Sequence, residues 1–160
     1  LWKERLVSSS QVRQLLGRGN LPAAEELLAR PYFLEGTVVR GRGRGGKELG
    51  LHTANIKLEN DRILPDGVYA TSTRVGVRWV PSVTNIGNNP TFRHDRSAPV
   101  TVESHLLNFN RSILGRRVRV EFFEKLREEK EFSSPKALAA QIGQDIEHAK
   151  GIFKNRRHPR

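Results

Sequence analysis

Thr53 and Asn55 stand two residues apart in a short run, Thr53 to Leu58, that has the texture of a β-strand. On a strand, residues i and i+2 share a face, so a hydroxyl and a carboxamide oxygen would lie side by side. Both are hard oxygen donors of the kind Mg²⁺ accepts beside waters and phosphate oxygens. A solvated strand face carries the same residues, and spacing alone favours that plainer account. Phosphoryl transfer would also need a base, and the best-placed acid is Glu103 in Thr101-Val102-Glu103-Ser104-His105-Leu106. The apolar Val102, Leu106 and Leu107 predict a strand that leaves the carboxyl little water, a setting that tunes its pKa. An exposed edge-strand glutamate in a cross-strand pair has equal weight. His105 shares the face of Glu103, as a supporting neighbour or a surface residue. His94, His148 and His158 show no metal-ligand spacing.

Before Thr53 runs a glycine-rich loop, Gly41-Arg42-Gly43-Arg44-Gly45-Gly46-Lys47 to His52. Glycines let backbone N–H groups curl closely around a phosphate, and Arg42, Arg44 and Lys47 add charge for the same anion. The spacing is neither the Walker A motif nor the dinucleotide fingerprint, and Arg-Gly loops as often touch nucleic acid. Two further blocks read on their own as connections. Thr84-Asn85-Ile86-Gly87-Asn88-Asn89-Pro90-Thr91-Phe92 has the composition of an ordered turn leaving a strand. Leu126-Arg127-Glu128-Glu129-Lys130-Glu131-Phe132 is a charged loop in which Arg127 and Phe132 could clasp a flat aromatic ligand.

The elements that must position these residues are mostly short strands. Phe33 to Arg40, Thr53 to Leu58, Gly67 to Val75, Val77 to Ile86, Pro99 to Phe109 and Arg117 to Lys125 are the candidates, with a tight hairpin at Gly76. Val118, Val120 and Phe122 alternate with Arg117, Arg119 and Glu121, the period of a half-buried strand. Six such strands predict a small barrel or sandwich. Residues 8–30 read as helical, broken at Gly17 and Gly19 and resumed from Leu21 to Ala29. Ser133 or Ser134 caps a last helix, with Pro135 in its first turn and Leu138, Ile142, Ile146 and Ala149 on one side to about Lys150. Lys154 to Arg160 reads as a loose basic tail, and a boundary is expected near Arg30–Pro31.

The 160-residue length suits one domain. With no cysteine, disulfides, thiolate catalysis and Cys-based zinc sites are excluded, which fits a reducing cytoplasm. The chain opens Leu1-Trp2-Lys3 and contains no methionine, reading as a piece of a longer protein. No apolar run approaches the roughly 20 residues that span a bilayer, and no export signal precedes the helices. The net charge of +11 suits either nucleic acid or a polyanionic small ligand such as ATP.

Taken together the motifs resemble riboflavin kinases, specifically the C-terminal module of bacterial bifunctional riboflavin kinase/FAD synthetases. The resemblance spans essentially the whole chain. It rests on Arg30-Pro31-Tyr32, the glycine-rich loop ending in Thr53-Ala54-Asn55, Leu64-Pro65-Asp66-Gly67-Val68-Tyr69, Asn85-Ile86-Gly87 with Pro90-Thr91-Phe92, Val102 to Leu107, and Leu126 to Lys130 with Phe132, in the family's order. It implies a mainly β fold: a six-stranded, Greek-key-like β-barrel over residues 31–153, with a C-terminal helix. It assigns Thr53 and Asn55 to Mg²⁺ and the ATP phosphates, and Gly43, Gly45, Gly46 and Lys47 to covering the nucleotide. Glu103 becomes the base for the riboflavin 5′-hydroxyl, and Arg127 and Phe132 fall where the flavin ring is held. Val7-Ser8-Ser9-Ser10-Gln11-Val12-Arg13 resembles the end of the family's adenylyltransferase domain, which makes residues 1–30 a helical remnant of that domain. FMN adenylyltransferase activity is then not expected here. The family's usual proline before Thr-Ala-Asn is His52 in this chain, which frees the backbone beside Thr53.

The implied partners are riboflavin, FMN, ATP and ADP, in the cytoplasm and without a membrane; self-association is left open. Nucleic acid is the rival partner, but aromatic residues make up only 7% of the chain and none lies between Phe33 and Tyr69. The kinase reading expects no retention of generic DNA or RNA in a gel-shift assay at near-physiological salt. A clear shift would favour the rival.

Overall fold

The structure, a computed structural model, describes residues 8–41, 53–88 and 100–156. Gly43, Gly45, Gly46, Lys47, His52 and His94 lie outside the described residues, as do residues 89–92. Six strands form, β1 (Tyr32–Val39), β2 (Thr53–Leu58), β3 (Gly67–Val75), β4 (Arg78–Asn88), β5 (Val100–Leu106) and β6 (Arg117–Arg127), each where a β-textured run placed one. They close into an antiparallel barrel in the order β1-β2-β5-β4-β3-β6. β6 lies beside β3 of the β3-β4-β5 meander, which is a Greek key. Of the two architectures that the strand count allowed, the barrel is the one adopted, and closure leaves no edge strand. Val75 and Arg78 pair across a two-residue turn in which Gly76 takes φ +63°, a value glycine adopts without steric cost.

The barrel interior is divided. One part is apolar: Leu34, Val38, Ile56, Val102, Val120 and Phe122 are buried there, and Tyr69 meets Phe122 edge-on at 5.5 Å while donating to Pro65 O at 2.6 Å. The other part is a closed circuit of five buried hydroxyls. Thr71 meets Ser82 at 2.8 Å and Thr84 at 2.7 Å, Thr73 meets Ser82 at 2.8 Å and Ser104 at 3.0 Å, and Thr84 donates to Ser104 at 3.0 Å. Each hydroxyl has one proton and the ring has five bonds. Donation must therefore run the same way round the circuit, with every donor used once.

Three helices pack outside. α1 (Ser9–Gly17) starts at a capping box between Ser8 and Gln11. α2 (Leu21–Leu28) is capped by Asn20 and packs against β1 and β6. Leu16, Leu21 and Ala24 join the barrel's own apolar cluster, so these helices share its core across Arg30–Pro31. α3 (Pro135–Lys154) is capped by Ser134, whose Oγ accepts from Ala137 N at 3.1 Å. It runs one turn beyond the expected end because Ile152 and Phe153 still have apolar partners in Val68, Ala70, Val83 and Ala149. Nor is the start of the tail loose. Arg156 pairs with Glu25 on α2 and lies 4.1 Å from the centre of the Phe123 ring.

α3 covers the outer face of β3, and this explains why β3 is buried on both faces from Gly67 to Thr73. Among the described residues the helices pack chiefly on β1, β3, β4 and β6, not on the outer walls of β2 and β5. Ser104→Ala would remove two of the five ring bonds and leave one buried hydroxyl proton without an acceptor. Denaturant melts should show a loss of about 1–3 kcal/mol; an unchanged midpoint would mean the ring contributes nothing.

Candidate active site on the outer barrel wall

Strand alternation sends Val102, Ser104 and Leu106 inward and Thr101, Glu103 and His105 outward. β2 likewise buries Ala54 and Ile56 and turns Thr53 and Asn55 outward. The register then gathers the sequence candidates. Asn55 and Asn85 are the cross-strand partners of Glu103 on its two sides, and Thr53 and Val83 are those of His105. With neighbouring strands about 4.8 Å apart, the row Asn55–Glu103–Asn85 spans about 10 Å.

One expectation for Glu103 changes: it stands on an interior strand of the sheet, not an edge. Its side chain faces outward with solvent access. The flanking side chains still strip part of its hydration, and this desolvation raises its carboxyl above the ordinary value of 4.5.

Asn55 leans away from Glu103, over the start of the glycine-rich loop. A Cβ at Gly41 would overlap the Asn55 carboxamide, so only glycine lets that amide lie across the loop's first residues. Beyond it opens a cleft of about 450 Å³, lined by Val39, Arg40, Thr53, Asn55, Phe109 and Arg111 among others. Two arginines at its walls and a buried aromatic suit an anion joined to an apolar ring. Arg111 escaped sequence reasoning because its turn has no motif and reaches the cleft only when the barrel closes.

The 126–132 loop approaches from the other side. A Cβ at Gly87 would overlap the Glu129 carboxylate, so the missing side chain seats the loop beside Asn85. Arg127 is anchored to α3. Its Nε donates to both Asp145 carboxylate oxygens at 3.0 and 3.1 Å, Nη2 donates to Oδ2 at 2.9 Å, and Nη1 donates to Glu128 O at 3.0 Å. Asp145 is buried on α3 and also accepts from Gln141 at 3.0 Å. The guanidinium lies 5.7 Å from the Phe132 ring centre. Arg127 is thus a tether that fastens the loop to α3, and Phe132 is carried by that tether.

Asn85 is the site residue that the sequence did not single out. It sits inside β4, near the end of the strand expected from Val77 to Ile86, and stands within the Asn85-Ile86-Gly87 motif, which assigned it no role. The signal available was its outward parity with Gly87, which only the register converts into a place beside Glu103.

A closed antiparallel barrel with its polar cluster on the outer wall, between a cationic cleft and a tethered loop, is distinct from both the P-loop and the doubly wound nucleotide folds. The chain belongs to the riboflavin kinase family, whose model matches residues 28–153. Among curated proteins it is 36% identical over 156 residues to the bifunctional riboflavin kinase/FMN adenylyltransferase of Bacillus subtilis, covering 97% of this chain and 49% of that protein. To the protein of that name in Escherichia coli K12 it is 37% identical over 148 residues, covering 92% and 46%. The chain thus spans about half the length of these relatives. A Streptococcus pneumoniae structure, named as a macrolide-efflux protein, superposes with a TM-score of 0.82 at 30% identity, covering 92% of this chain and 48% of that one. Riboflavin kinase from Trypanosoma brucei shares the fold, with a TM-score of 0.56 at 24% identity over 78% of this chain and 81% of that one.

The raised carboxyl of Glu103 has a consequence for stability. The folded chain holds this proton where the unfolded chain has lost it. That advantage is complete below 4.5 and is lost as pH rises through the folded value. At pH 7 the ionised carboxylate therefore costs stability that a neutral amide would not. Glu103→Gln should melt above the parent at pH 7, with the gap closing towards pH 4. A gap independent of pH would show that desolvation is not its cause.

Proposed function

We propose that this chain transfers the γ-phosphoryl group of ATP to the 5′-hydroxyl of riboflavin, giving FMN and ADP. The observation that carries this reading is the register that sets Glu103 between two asparagines on the outer wall, one strand from Thr53 at the mouth of the cationic cleft. The nucleotide enters the cleft, with Arg40 and Arg111 holding negative charge and Phe109 offering an apolar surface. The glycine-rich loop, including Gly43, Gly45, Gly46 and Lys47, covers its phosphates. The flavin lies along β5 and β4 towards the tethered loop and Phe132.

Glu103 accepts the proton of the 5′-hydroxyl as the oxygen bonds to the γ-phosphorus, and the bond to the β,γ-bridging oxygen breaks to release ADP. The protein's part is alignment and charge neutralisation. The raised carboxyl value of Glu103 strengthens it as a base.

The donor set fits Mg²⁺ brought in with the nucleotide. Thr53 and Asn55 supply neutral oxygens, and no cluster of three His, Cys, Asp or Glu residues that could hold a metal of its own occurs among the described residues. When bound, the ion neutralises phosphate charge. The adenylyl transfer in the relatives' names is not assigned to this chain. No helix of the described residues is long and apolar enough to cross a membrane, and ATP as co-substrate fits a cytoplasmic setting.

Incubation with riboflavin, ATP and Mg²⁺ should yield FMN by chromatography. Glu103→Gln should lower kcat about 100-fold or more with little change in riboflavin affinity, and Thr53→Ala should sharply raise the Mg-ATP requirement. The acidic limb of the kcat/KM profile should lie above the free-glutamate value. No FMN with any divalent ion would overturn the assignment.

A further inference from the structure

Asn85 Oδ1 is buried and has no hydrogen-bond partner. Its surroundings explain why. Along β4 its outward neighbours are Val83, packed under α3, and Gly87, over which the Glu129 carboxylate is seated. Across the sheet its register partners are Val68, also under α3, and Glu103. The polar groups facing it are thus carboxyls, and a carboxylate offers oxygens, not a proton, to a carbonyl. An unsatisfied buried acceptor costs about 1–3 kcal/mol. No packing gain explains a carboxamide here, since Val68 and Val83 would welcome a leucine of similar shape.

The missing partner must reach Asn85 along the outer wall, beside Glu103. Resting on the kinase reading above, we propose that Asn85 is a substrate-binding and specificity residue that hydrogen-bonds a secondary hydroxyl of riboflavin's ribityl chain. A hydroxyl both donates and accepts, so it satisfies either orientation of the amide. Glu103 takes the terminal 5′-hydroxyl. Asn85, about 5 Å away on the next strand, takes a hydroxyl nearer the ring, two or three carbons back. Two fixed points on one flexible polyol set which hydroxyl faces the γ-phosphate. A flavin whose side chain lacks that hydroxyl strands the amide as the empty site does, and is rejected for that reason.

The test pairs Asn85→Leu and Asn85→Ala with riboflavin and with analogues each lacking one ribityl hydroxyl. Asn85→Leu should raise the melting temperature of the ligand-free protein, because it removes a buried unpaired acceptor, and should lower kcat/KM for riboflavin about tenfold or more. A stabilised variant with impaired turnover separates this role from a folding defect. One deoxy analogue should be a poor substrate for the parent yet suffer no further loss with Asn85→Ala, whereas the other analogues lose activity in both steps. Unchanged kcat/KM in both variants, or additive losses with every analogue, would overturn the assignment. That result is distinct from absence of FMN with the parent protein, which overturns the kinase reading itself.

Discussion

The hydroxyl circuit inside the barrel is the constraint on which the outer wall depends. Thr71, Thr73, Ser82, Thr84 and Ser104 tie β3, β4 and β5 together from within. Apolar packing fills a barrel but leaves register weakly marked, since one valine substitutes for another. A circuit closed proton by proton has no such freedom, and a ring of hydrogen bonds in a low-dielectric interior strengthens its members. A slip of one residue in β5 would turn Glu103 inward and Ser104 outward, breaking the circuit and burying a carboxylate. The same side-chain parity thus sets Ser104 in the ring and Glu103 on the wall, and Thr84 in the ring with Asn85 on the wall.

The helices decide how much of that wall is left for chemistry. α3 seals β3 and the Val83 part of β4, while α1 and α2 pack into the core cluster against β1 and β6. What the helices leave uncovered among the described residues is a strip over β2, β5 and the far part of β4. Its two ends differ in kind. The cleft beside Thr53 carries arginines, and the Gly87 end is met by a loop held to α3 through Arg127 and Asp145. Asp145 is buried and paired with a forked guanidinium, a geometry that fixes position more surely than it adds stability.

Much of this architecture was legible in the sequence, and the rest failed for identifiable reasons. Short β-textured runs located all six strands, and in β6 the alternation of Val118, Val120 and Phe122 also marked the buried face. β3 fits such alternation least well, since α3 makes its second face apolar too. Thr53, Asn55 and Glu103 were found by residue type, but their meeting depends on pairings between distant segments, which no local pattern encodes. Asn85 was placed on a strand and in a motif, but its neighbour Glu103 lies on another strand and is reached only through the register. Arg127 was found without its ion pair, because the buried aspartate it meets lies 18 residues along the chain on another element. The extra turn of α3 was missed because Gly151 weakens the helical signal where Ile152 and Phe153 gain their contacts.

The charge of the chain acquires a narrower meaning from this arrangement. A surplus of +11 could have signified a nucleic-acid surface, but several of its cations are already paired: Arg117 and Arg119 with Glu35, Arg127 with Asp145, and Arg156 with Glu25. Those of the cleft, Arg40 and Arg111, stand at one end of the open strip. The row around Glu103 holds no cation, only two neutral carboxamides. A cation beside Glu103 would hold its pKa down and weaken it as a base, while a second acid would repel the polyphosphate. Asparagine on each side avoids both effects. It leaves desolvation as the force acting on the carboxyl, so the base and the anion site can be tuned on separate strands.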